Sequence, residues 1–361
     1  MNPSQCNLFH YINNTFILHS KQIIKIQSVL RGYNIRKSMP QAHLNALNNT
    51  VESSSKLNKR FNSKQSKPQS TNQIQAQITS NQQIQILSKL STNSSLISTE
   101  NLNTVMSEFP LTNQFQHLKL IVRPIHEYEN KSLYLGEWNI QTNKRHGRGI
   151  IQWNDGSKYE GYWVNDKANI KGRLLLSSGD IYEGEWKDDK ASGHGIYHKN
   201  NGECYDGEWE NDKQCGNGYE KWPDGSSYKG EYRNGMKNGK GVFIWYDGSE
   251  FNGDFVDNNI EGKGIYKWKN GNEYNGEWKN NKMHGKGVFI WKDGRKYNGE
   301  FKNDKREGHG ELIWNDGRVY KGKWLNGVQH GEGLFYNPKT SEWINGKWEK
   351  GKRIEYLNTH I

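Results

Sequence analysis

Residues 274–296, YNGEWKNNKMHGKGVFIWKDGRK, decide the fold of this chain, because their pattern returns every 23 residues. Each copy holds an aromatic-x-Gly-x-aromatic cluster, then a Gly-x-Gly pair, then an Asp-Gly or Asn-Gly pair. In this copy they are Tyr274, Gly276 and Trp278, Gly285 and Gly287, and Asp293 and Gly294. Repetition at a fixed period of this length is typical of repeat proteins, in which each unit packs on its neighbours.

The aromatic cluster occurs nine times between Tyr134 and Trp324, in constant register. The first step is 25 residues, each of the next seven is 23, and Trp343 begins a tenth, imperfect copy with one extra residue. We therefore predict repeats over about residues 134–348. The residues expected to pack one repeat against the next include Tyr159, Gly161, Trp163, Tyr182, Gly184, Trp186, Tyr205, Gly207, Trp209, Tyr274, Gly276, Trp278, Tyr297, Gly299 and Phe301.

Each repeat is predicted to form two strands. Period-two alternation places the Tyr, Gly and Trp of a cluster on one face of a strand. Because a glycine inside a strand usually marks a close approach, we expect aromatic rings from neighbouring strands to lie over these glycines. Asp-Gly and Asn-Gly pairs favour two-residue type I′ turns. Each unit is thus predicted to run strand, loop of about six residues, strand, tight turn.

These motifs resemble the MORN (membrane occupation and recognition nexus) repeat over roughly residues 130–350. The resemblance implies an all-β domain, an elongated and twisted single-layer antiparallel β-sheet of stacked hairpins, with nine full repeats and a degenerate tenth. Two departures stand out: Ile170 replaces the first Gly of one Gly-x-Gly pair, and residues 337–340 replace the last tight turn. We expect Pro338 and the extra residue before Gly346 to end the sheet and block further pairing.

Composition separates a basic tail from a near-neutral body. Only 32% of residues are hydrophobic, which is too few for the core of a large globular enzyme. The 14 Trp and 19 Tyr, however, argue against a disordered chain, since such chains contain few aromatic residues. Residues 1–120 carry a formal charge of +9 and residues 121–361 only +2, which argues against nucleic-acid binding by the body. We predict three parts: an N-terminal segment (1–40), a disordered Asn/Gln/Ser-rich linker (41–116) and the repeat domain (117–361).

Charged and metal-binding residue types in the repeats do not form a catalytic pattern. Acids recur at one repeat position and lysines at another, so opposed rows are expected to pair across strands. The acids are Glu185, Glu208, Glu231, Asp254, Glu277 and Glu300, and the lysines are Lys171, Lys240, Lys263 and Lys286. His146, His284 and His330 lie at least two repeats apart, too far to share a metal. The Gly-x-Gly pairs lack phosphate-loop spacing. We expect no catalytic residue, no metal and no cofactor.

The N-terminal segment contains a predicted amphipathic helix over about residues 20–38. Its apolar positions, Ile23, Ile26, Leu30 and Tyr33, follow three-four spacing. Lys21, Lys25, Arg36 and Lys37 lie on the other face, and no acid precedes Glu52. A basic amphipathic helix is typical of a calmodulin target or of a helix at a membrane surface.

Residues 26–36, IQSVLRGYNIR, resemble a complete IQ motif, IQxxxRGxxxR. The resemblance implies that calmodulin or a calmodulin-like light chain binds here, with Ile26 in a groove of one lobe and Gln27 bonded to its backbone. Arg31 and Arg36 would meet carboxylates, and Gly32 would allow close approach. The calmodulin-binding residues predicted in this way are Ile26, Gln27, Leu30, Arg31, Gly32 and Arg36.

The sequence thus favours a non-enzymatic scaffold that presents an aromatic and charged β-ribbon to protein partners. Similar repeat proteins occur in radial-spoke heads and other ciliary or cytoskeletal assemblies, often as dimers. We therefore expect cytoskeletal or ciliary partners, a homodimer among the arrangements, and a cytoplasmic place at a cilium or flagellum axoneme. The alternative is a phosphoinositide or membrane-surface adaptor. It is disfavoured by the +2 charge of the body, since each basic residue near anionic lipid contributes only about 1 kcal/mol.

Overall fold

The structure is a computed structural model that describes residues 97–357. The predicted tail helix, the IQ motif and the linker up to residue 96 lie outside the described residues. Between residues 134 and 336 every element is a strand and no helix occurs, as the repeat pattern predicts.

Within residues 97–357 all strands belong to one 21-stranded antiparallel sheet, in which each strand pairs with its neighbours in the chain. In the same range one helix and one short 3₁₀ turn precede the sheet. The elements are α1 (Thr99–Glu108), the 3₁₀ turn (Asn113–Phe115), β1 (Leu120–Glu127), β2 (Leu133–Asn139), β3 (Lys144–Gln152), β4 (Lys158–Val164), β5 (Lys167–Leu175), β6 (Ile181–Lys187), β7 (Lys190–His198), β8 (Cys204–Glu210), β9 (Lys213–Lys221), β10 (Ser227–Arg233), β11 (Met236–Ile244), β12 (Glu250–Val256), β13 (Asn259–Lys267), β14 (Glu273–Lys279), β15 (Lys282–Ile290), β16 (Lys296–Lys302), β17 (Lys305–Ile313), β18 (Val319–Leu325), β19 (Val328–Asn337), β20 (Glu342–Glu349) and β21 (Lys352–Tyr356). The predicted fold class, stacked hairpins in a single antiparallel sheet, is confirmed.

The two connections within a repeat differ from the prediction. Where a loop of about six residues was expected, β4 and β5 are joined by only Asn165 and Asp166, whose φ angles are +50° and +71°. Asn and Asp adopt this left-handed region more readily than other L-residues, so a two-residue turn forms. The Asp166 carboxylate accepts the backbone N–H of Arg145 at 2.9 Å, which fastens the turn to the preceding repeat. The same contact recurs at five further turns.

The Asp-Gly pairs lie in tight turns, but the predicted turn type was wrong. At Asp155-Gly156 only the glycine has a positive φ, +87°, whereas a type I′ turn needs two such residues. The Trp153 N–H donates to the Ser157 carbonyl at 2.8 Å and the Gly156 N–H to the Trp153 carbonyl at 3.0 Å. This is a three-residue hairpin loop that ends in a left-handed glycine. The Asp155 carboxylate accepts the Ser157 N–H at 3.0 Å and so stabilises the turn locally.

The core is an unbroken row of aromatic rings along one face of the sheet. Each first-position ring, such as Tyr182, meets the second-position ring of its own strand and that of the next repeat, here Trp186 and Trp209. Nineteen rings from Trp138 to Trp348 are joined in this way by edge-to-face contacts of 5.0–5.5 Å. Such contacts contribute about 0.5–1.5 kcal/mol each beyond burial. We call this row the aromatic row.

The glycines of the two motifs face each other beneath the rings. Gly230 of β10 pairs with Gly241 of β11, and the Tyr228 ring covers both. A Cβ at Gly230 would lie 2.5 Å from the Gly241 Cα and from the Tyr228 hydroxyl, which no side chain could tolerate. For Gly230 the covering ring comes from the glycine's own strand, two residues earlier, whereas for Gly241 it comes from the neighbouring strand β10, as predicted. The preference for glycine follows from this close approach.

The predicted linker of residues 41–116 extended too far, because its described part from residue 97 is folded. Ser98 caps α1 by accepting the Asn101 N–H at 3.2 Å, while the Asn101 side chain accepts the Ser98 N–H at 2.9 Å. Leu102 and Val105 of α1 are buried on the sheet face opposite the aromatic row. Although the Asn-rich composition favoured disorder, residues 98–108 form a capped amphipathic helix.

The sheet does not end at Pro338. This proline lies in the turn between β19 and β20, where Asn337 and Glu342 are paired, and β20 pairs onward with β21. Since a proline outside the strands removes no ladder hydrogen bond, it does not block pairing. The last strand is β21, which ends at Tyr356.

Candidate functional site

The residues predicted to pack the repeats are brought together in the aromatic row. Tyr159, Tyr182, Tyr205, Tyr274 and Tyr297 donate their hydroxyl to the carbonyl three residues later at 2.9–3.1 Å. Trp163, Trp186, Trp209 and Trp278 donate their indole N–H to a glycine carbonyl of the preceding repeat at 2.9–3.2 Å. Phe301, which has no donor, packs edge-to-face on Tyr274 and Tyr297, and Gly161, Gly184, Gly207, Gly276 and Gly299 lie under the rings.

The aromatic row is interior and offers no rings to a partner. Its tyrosines are at most 5% exposed, and burial raises the pKa of the Tyr320 hydroxyl to about 12. They are therefore neutral hydrogen-bond donors at physiological pH. The expectation that the ribbon presents aromatic rings is wrong for this row, because the rings cover one another and are buried.

Three cations are inserted into the aromatic row at one repeat position. Arg145 lies 4.2 Å from the centre of the Trp163 ring, and Arg306 lies 4.2 Å from that of Trp324. Lys237 lies 5.1 Å from the Tyr228 ring and forms a buried ion pair with Glu220 at 2.7 Å. Cation–π attraction rises when such groups are desolvated. Sequence reasoning missed all three, since Lys and Arg are normally surface residues.

Glu220 explains why Lys237 is buried. It stands where the buried rings of Phe243 and Tyr266 stand in the following repeats, so it lies on the same face as the aromatic row and beside it. Besides Lys237 it accepts the Tyr232 hydroxyl at 2.9 Å, and Lys237 and Glu220 side chains are only 4% and 2% exposed. The signal available in the sequence was an acid at an aromatic repeat position.

The opposite face of the sheet, which we call the charged face, carries the residues that alternate with the aromatic row. Lys171, Lys240, Lys263 and Lys286 lie directly opposite Glu185, Asp254, Glu277 and Glu300 in register, as predicted. Lys240 and Asp254 form an ion pair there. Burial raises the pKa of Asp254, but hydrogen bonds from Lys240 and from the Lys263 N–H outweigh it and leave the pKa below its ordinary value.

The acids that recur at one repeat position also accept hydrogen bonds from the backbone, which the sequence did not reveal. Glu231 accepts the backbone N–H of Lys240 at 2.9 Å, and Glu208 accepts that of Asn217 at the same distance. Asp254, Glu185 and Glu300 make the same nine-residue contact. These carboxylates satisfy an N–H left free where the strand register shifts at the bulge beside each glycine pair. The constant spacing of nine residues was the available signal.

Residues 97–357 hold no group of three His, Cys, Asp or Glu side chains that could bind a metal ion. Burial raises the pKa of the Cys204 thiol to about 12, so the thiolate needed for nucleophilic attack is scarce at neutral pH. Within the same residues no helix is long and apolar enough to cross a membrane.

Among the described residues, α1 covers the N-terminal end of the charged face. There Leu102 and Val105 of α1, with Phe109 at its C-terminal end, pack against Leu135, Ile150 and Tyr162. Arg173 holds the end of the helix by contacts with Glu108 at 3.3 Å, Glu160 at 3.0 Å and Glu183 at 3.0 Å. Ile170 joins this cluster although its φ is +63°, a strained value for a β-branched residue. Along its remaining length the charged face leaves residues such as Glu208, Tyr219 and Glu231 exposed.

Comparison with known proteins identifies the repeats. The MORN repeat family matches nine segments, which together span more than half of the chain: residues 142–158, 159–181, 182–204, 205–227, 228–250, 251–273, 274–294, 297–317 and 320–339. No curated protein matches the sequence.

Similar solved structures include a TCP domain and a TCP10 domain. The TCP domain of Drosophila melanogaster SAS-4 (dCPAP), in complex with a proline-rich motif of Ana2 (dSTIL), is 13% identical, with 48% of this chain and 86% of that chain covered and a TM-score of 0.28. A mutant TCP10 domain of Danio rerio CPAP is 10% identical, with 66% and 100% covered and a TM-score of 0.21. At these scores neither likeness bears on function.

Proposed function

The chain belongs to the MORN-repeat family, and we propose that it is a non-enzymatic scaffold whose charged face binds proteins while its N-terminal tail binds calmodulin. The family is one of non-enzymatic modules that interact with proteins and membranes. The finer proposal, calmodulin binding in a cytoskeletal setting, rests on the sequence of the tail.

The observation that carries the scaffold proposal is that one face of the sheet is buried by aromatic rings while the other is exposed and charged. The aromatic row buries its rings within the chain, from Trp138 to Trp348. The charged face beyond α1 leaves residues such as Glu208, Glu231 and Tyr219 exposed. A sheet whose core is a continuous layer of rings along one face can hold a long binding surface in fixed shape without a globular centre.

Calmodulin or a calmodulin-like light chain is the proposed partner of the tail. The support is the full set of IQ positions at Ile26, Gln27, Arg31, Gly32 and Arg36, together with Leu30 on the predicted apolar stripe. An amphipathic helix binds such a partner by laying its apolar residues in a groove. The residues lie outside the described part of the chain, so the proposal rests on the motif.

The proposed setting is a cytoplasmic assembly of the cytoskeleton, with the axoneme of a cilium or flagellum first among them. Support comes from the resemblance to repeat proteins of radial-spoke heads. Cytoskeletal or ciliary proteins, and a second copy of the chain, are the partners proposed for the repeat domain.

Membrane binding is the competing proposal, and the basic character of the tail favours it. Residues 1–120 carry a formal charge of +9, which would attract anionic lipid. Removing charge would weaken both calmodulin and lipid binding. A change in Ile26 and Gln27 separates them, since a groove anchor and its backbone hydrogen bond matter only to a protein partner.

Affinity capture from an extract of ciliated cells tests the proposal. The baits are the tagged full chain and its Ile26→Ala, Gln27→Ala variant, each used in EGTA and in calcium. We expect calmodulin or a related light chain with the wild type and its loss with the variant. Cytoskeletal proteins should remain in both, because the repeat domain is unchanged. Equal recovery of calmodulin by both baits, or its absence from the wild type, would contradict the IQ assignment. Retention of both baits on anionic vesicles, without calmodulin, would favour the membrane proposal.

A further inference from the structure

The charged face contains a line of apolar residues that runs along the sheet. In this line, which we call the central row, residues pair across successive strands from Leu135 on β2 to Leu334 on β19. An apolar residue occupies most alternate strands, and the members are Leu135, Ile150, Ile196, Tyr219, Val242, Ile265, Val288 and Leu334. Since neighbouring strands lie about 4.8 Å apart, the five members on successive alternate strands, Ile196, Tyr219, Val242, Ile265 and Val288, are about 9.6 Å apart.

The start of the central row already holds a helix. α1 buries Leu135 and Ile150 to 5% and 0% exposure, and its Met106 carbonyl accepts the Arg148 guanidinium at 3.3 Å. Arg173, the next cationic member of the row, binds Glu108 at the end of α1. This contact shows that the apolar residues of the row, with charged groups on either side, fit one face of an amphipathic helix.

Beyond Arg173 the central row is accessible and its surroundings are acidic. Tyr219 is 44% exposed, and Ile196 and Val242 are half-buried. On the charged face around Ile196 and Tyr219 the acids are Glu183, Glu185, Asp206, Glu208 and Glu231, against the cations Lys171, Arg173, Lys221 and Lys229. Asp206 also contacts the His194 ring at 3.0 Å. Arg173 is committed to Glu108, Glu160 and Glu183. This stretch, which we call the acidic patch, therefore calls for a basic and apolar occupant.

We propose that residues 20–37 of the same chain bind to the acidic patch as a helix. The segment carries five cations, Lys21, Lys25, Arg31, Arg36 and Lys37, and no acid precedes Glu52. Its apolar residues repeat at seven-residue spacing, Ile23 with Leu30 and Ile26 with Tyr33. Seven residues of α-helix rise about 10.5 Å, which matches the spacing of about 9.6 Å between apolar members of the central row.

The chain is long enough for this contact. Residues 38–96 separate the segment from the start of the described chain at Ile97, beside α1. Their composition predicts a flexible linker, and 59 residues of such a linker span about 42 Å on average. Tyr219 on β9 lies six strands beyond Ile150 on β3, or about 29 Å along the sheet. The segment can therefore reach the patch without strain.

Binding to the patch competes with calmodulin. Both contacts use Ile26 and Leu30, so a single copy of the segment serves one of them at a time. Calmodulin bound to residues 20–37 would leave the acidic patch uncovered. A partner bound to the patch would release these residues to bind calmodulin. The charged face and the tail become linked sites rather than independent ones.

Zero-length carbodiimide cross-linking of the full chain tests the contact, because it joins a lysine to a carboxylate only where the two touch. We expect peptides that link Lys21, Lys25 or Lys37 to Asp206, Glu208 or Glu231, with a yield independent of protein concentration. The variant Ile196→Thr, Tyr219→Thr should lower that yield at least fivefold, while strand propensity is kept. Leu334→Thr, on the same row outside the acidic patch, is the matched control and should leave the yield unchanged.

Absence of these cross-links in the wild type, or equal yields in the wild type and the patch variant, would overturn the proposal. Thermal unfolding with the wild-type midpoint verifies that each variant is folded. Calmodulin titration then separates the two proposals: cross-links without calmodulin binding leave the contact standing and refute the IQ assignment. With both present, the patch variant should bind calmodulin at least threefold more tightly than the Leu334→Thr control, and equal affinities would overturn the competition.

Discussion

Gly253→Ala should disrupt the repeat domain strongly and locally. Gly253 on β12 faces Gly264 on β13, beneath the Phe251 ring. A Cβ at position 253 would lie 2.5 Å from the Gly264 Cα, 2.5 Å from the Lys263 carbonyl oxygen and 2.6 Å from Cζ of Phe251. Two of these three atoms belong to the backbone, so the strands must separate or the ring must leave its place.

The structure sets the size of the loss. A displaced Phe251 ring gives up edge-to-face contacts with Phe255 at 5.3 Å and Trp278 at 5.5 Å, each worth about 0.5–1.5 kcal/mol. Forcing a methyl group into closely packed contact costs about 1–3 kcal/mol more. We therefore expect a decrease of about 2–6 kcal/mol in the free energy of unfolding.

Gly248→Ala is the matched control, because it changes the same residue type in the adjoining turn. Gly248 has a φ of +86° and no atom within 4 Å of its Cβ position, so only the left-handed backbone disfavours alanine. That effect is about 1–2 kcal/mol. Comparison of the two variants isolates the clash beneath the ring from the backbone preference.

Urea unfolding measures the two losses, and hydrogen exchange locates them. Since each repeat contacts mainly its neighbours, Gly253→Ala should raise exchange over about residues 228–278 and leave the ends near normal. A loss no larger than that of Gly248→Ala would refute the placement of rings over paired glycines. Uniform loss of protection would refute the linear account and indicate one cooperative core.

Three further predictions follow from single contacts. Glu220→Gln should lower the free energy of unfolding in urea by about 3–5 kcal/mol, because Lys237 stays buried without its counter-charge. Glu220→Leu with Lys237→Met should be near neutral. Equal losses in the two variants would contradict the buried pair. Phe251→Tyr should raise the free energy of unfolding by about 0.5–1.5 kcal/mol in the same assay. Its hydroxyl would donate to the Asp254 carbonyl, as Tyr228 and Tyr274 donate to the carbonyl three residues later. An unchanged stability would contradict this contact. Burial raises the pKa of Asp304 from 3.8 to about 6, so its charge costs stability above pH 6 and not below about pH 3.8. Asp304→Asn, with an amide oxygen still able to accept the Met283 N–H, should therefore stabilise by about 3 kcal/mol at pH 7 and by nothing near pH 3; a difference independent of pH would contradict the shift.

The strands could be predicted from the sequence because their signal is local. The alternation of Tyr274, Gly276 and Trp278 fixes one face, and 23-residue phase fixes the neighbours. The turn types could not, because Asn165-Asp166 and Asp155-Gly156 both suit left-handed backbone. The choice between them depends on the Asp166 contact with Arg145 of the preceding repeat, which exists only once the repeats are stacked.

The candidate surface was harder to predict than the fold. The pairing of Lys240 with Asp254 follows from repeat positions alone, but the burial of Lys237 and Glu220 does not, since charged residues are ordinarily exposed. The position of α1 on the charged face was hidden by Asn-rich composition, although Ser98 and Asn101 form a recognisable cap ahead of Leu102 and Val105. Composition is an average, and one helix needs only a few well-placed residues.

Calorimetric titration of the full chain with calmodulin, in EGTA and in calcium, tests most directly the claim that this protein acts by binding a partner through its tail. We expect the wild type to bind with a Kd below about 10 μM in at least one of the two conditions. Ile26→Ala with Gln27→Ala should lose roughly 2–5 kcal/mol of that affinity, through a truncated groove anchor and a missing backbone hydrogen bond. A wild-type chain that fails to bind calmodulin below about 10 μM in both conditions would contradict the account.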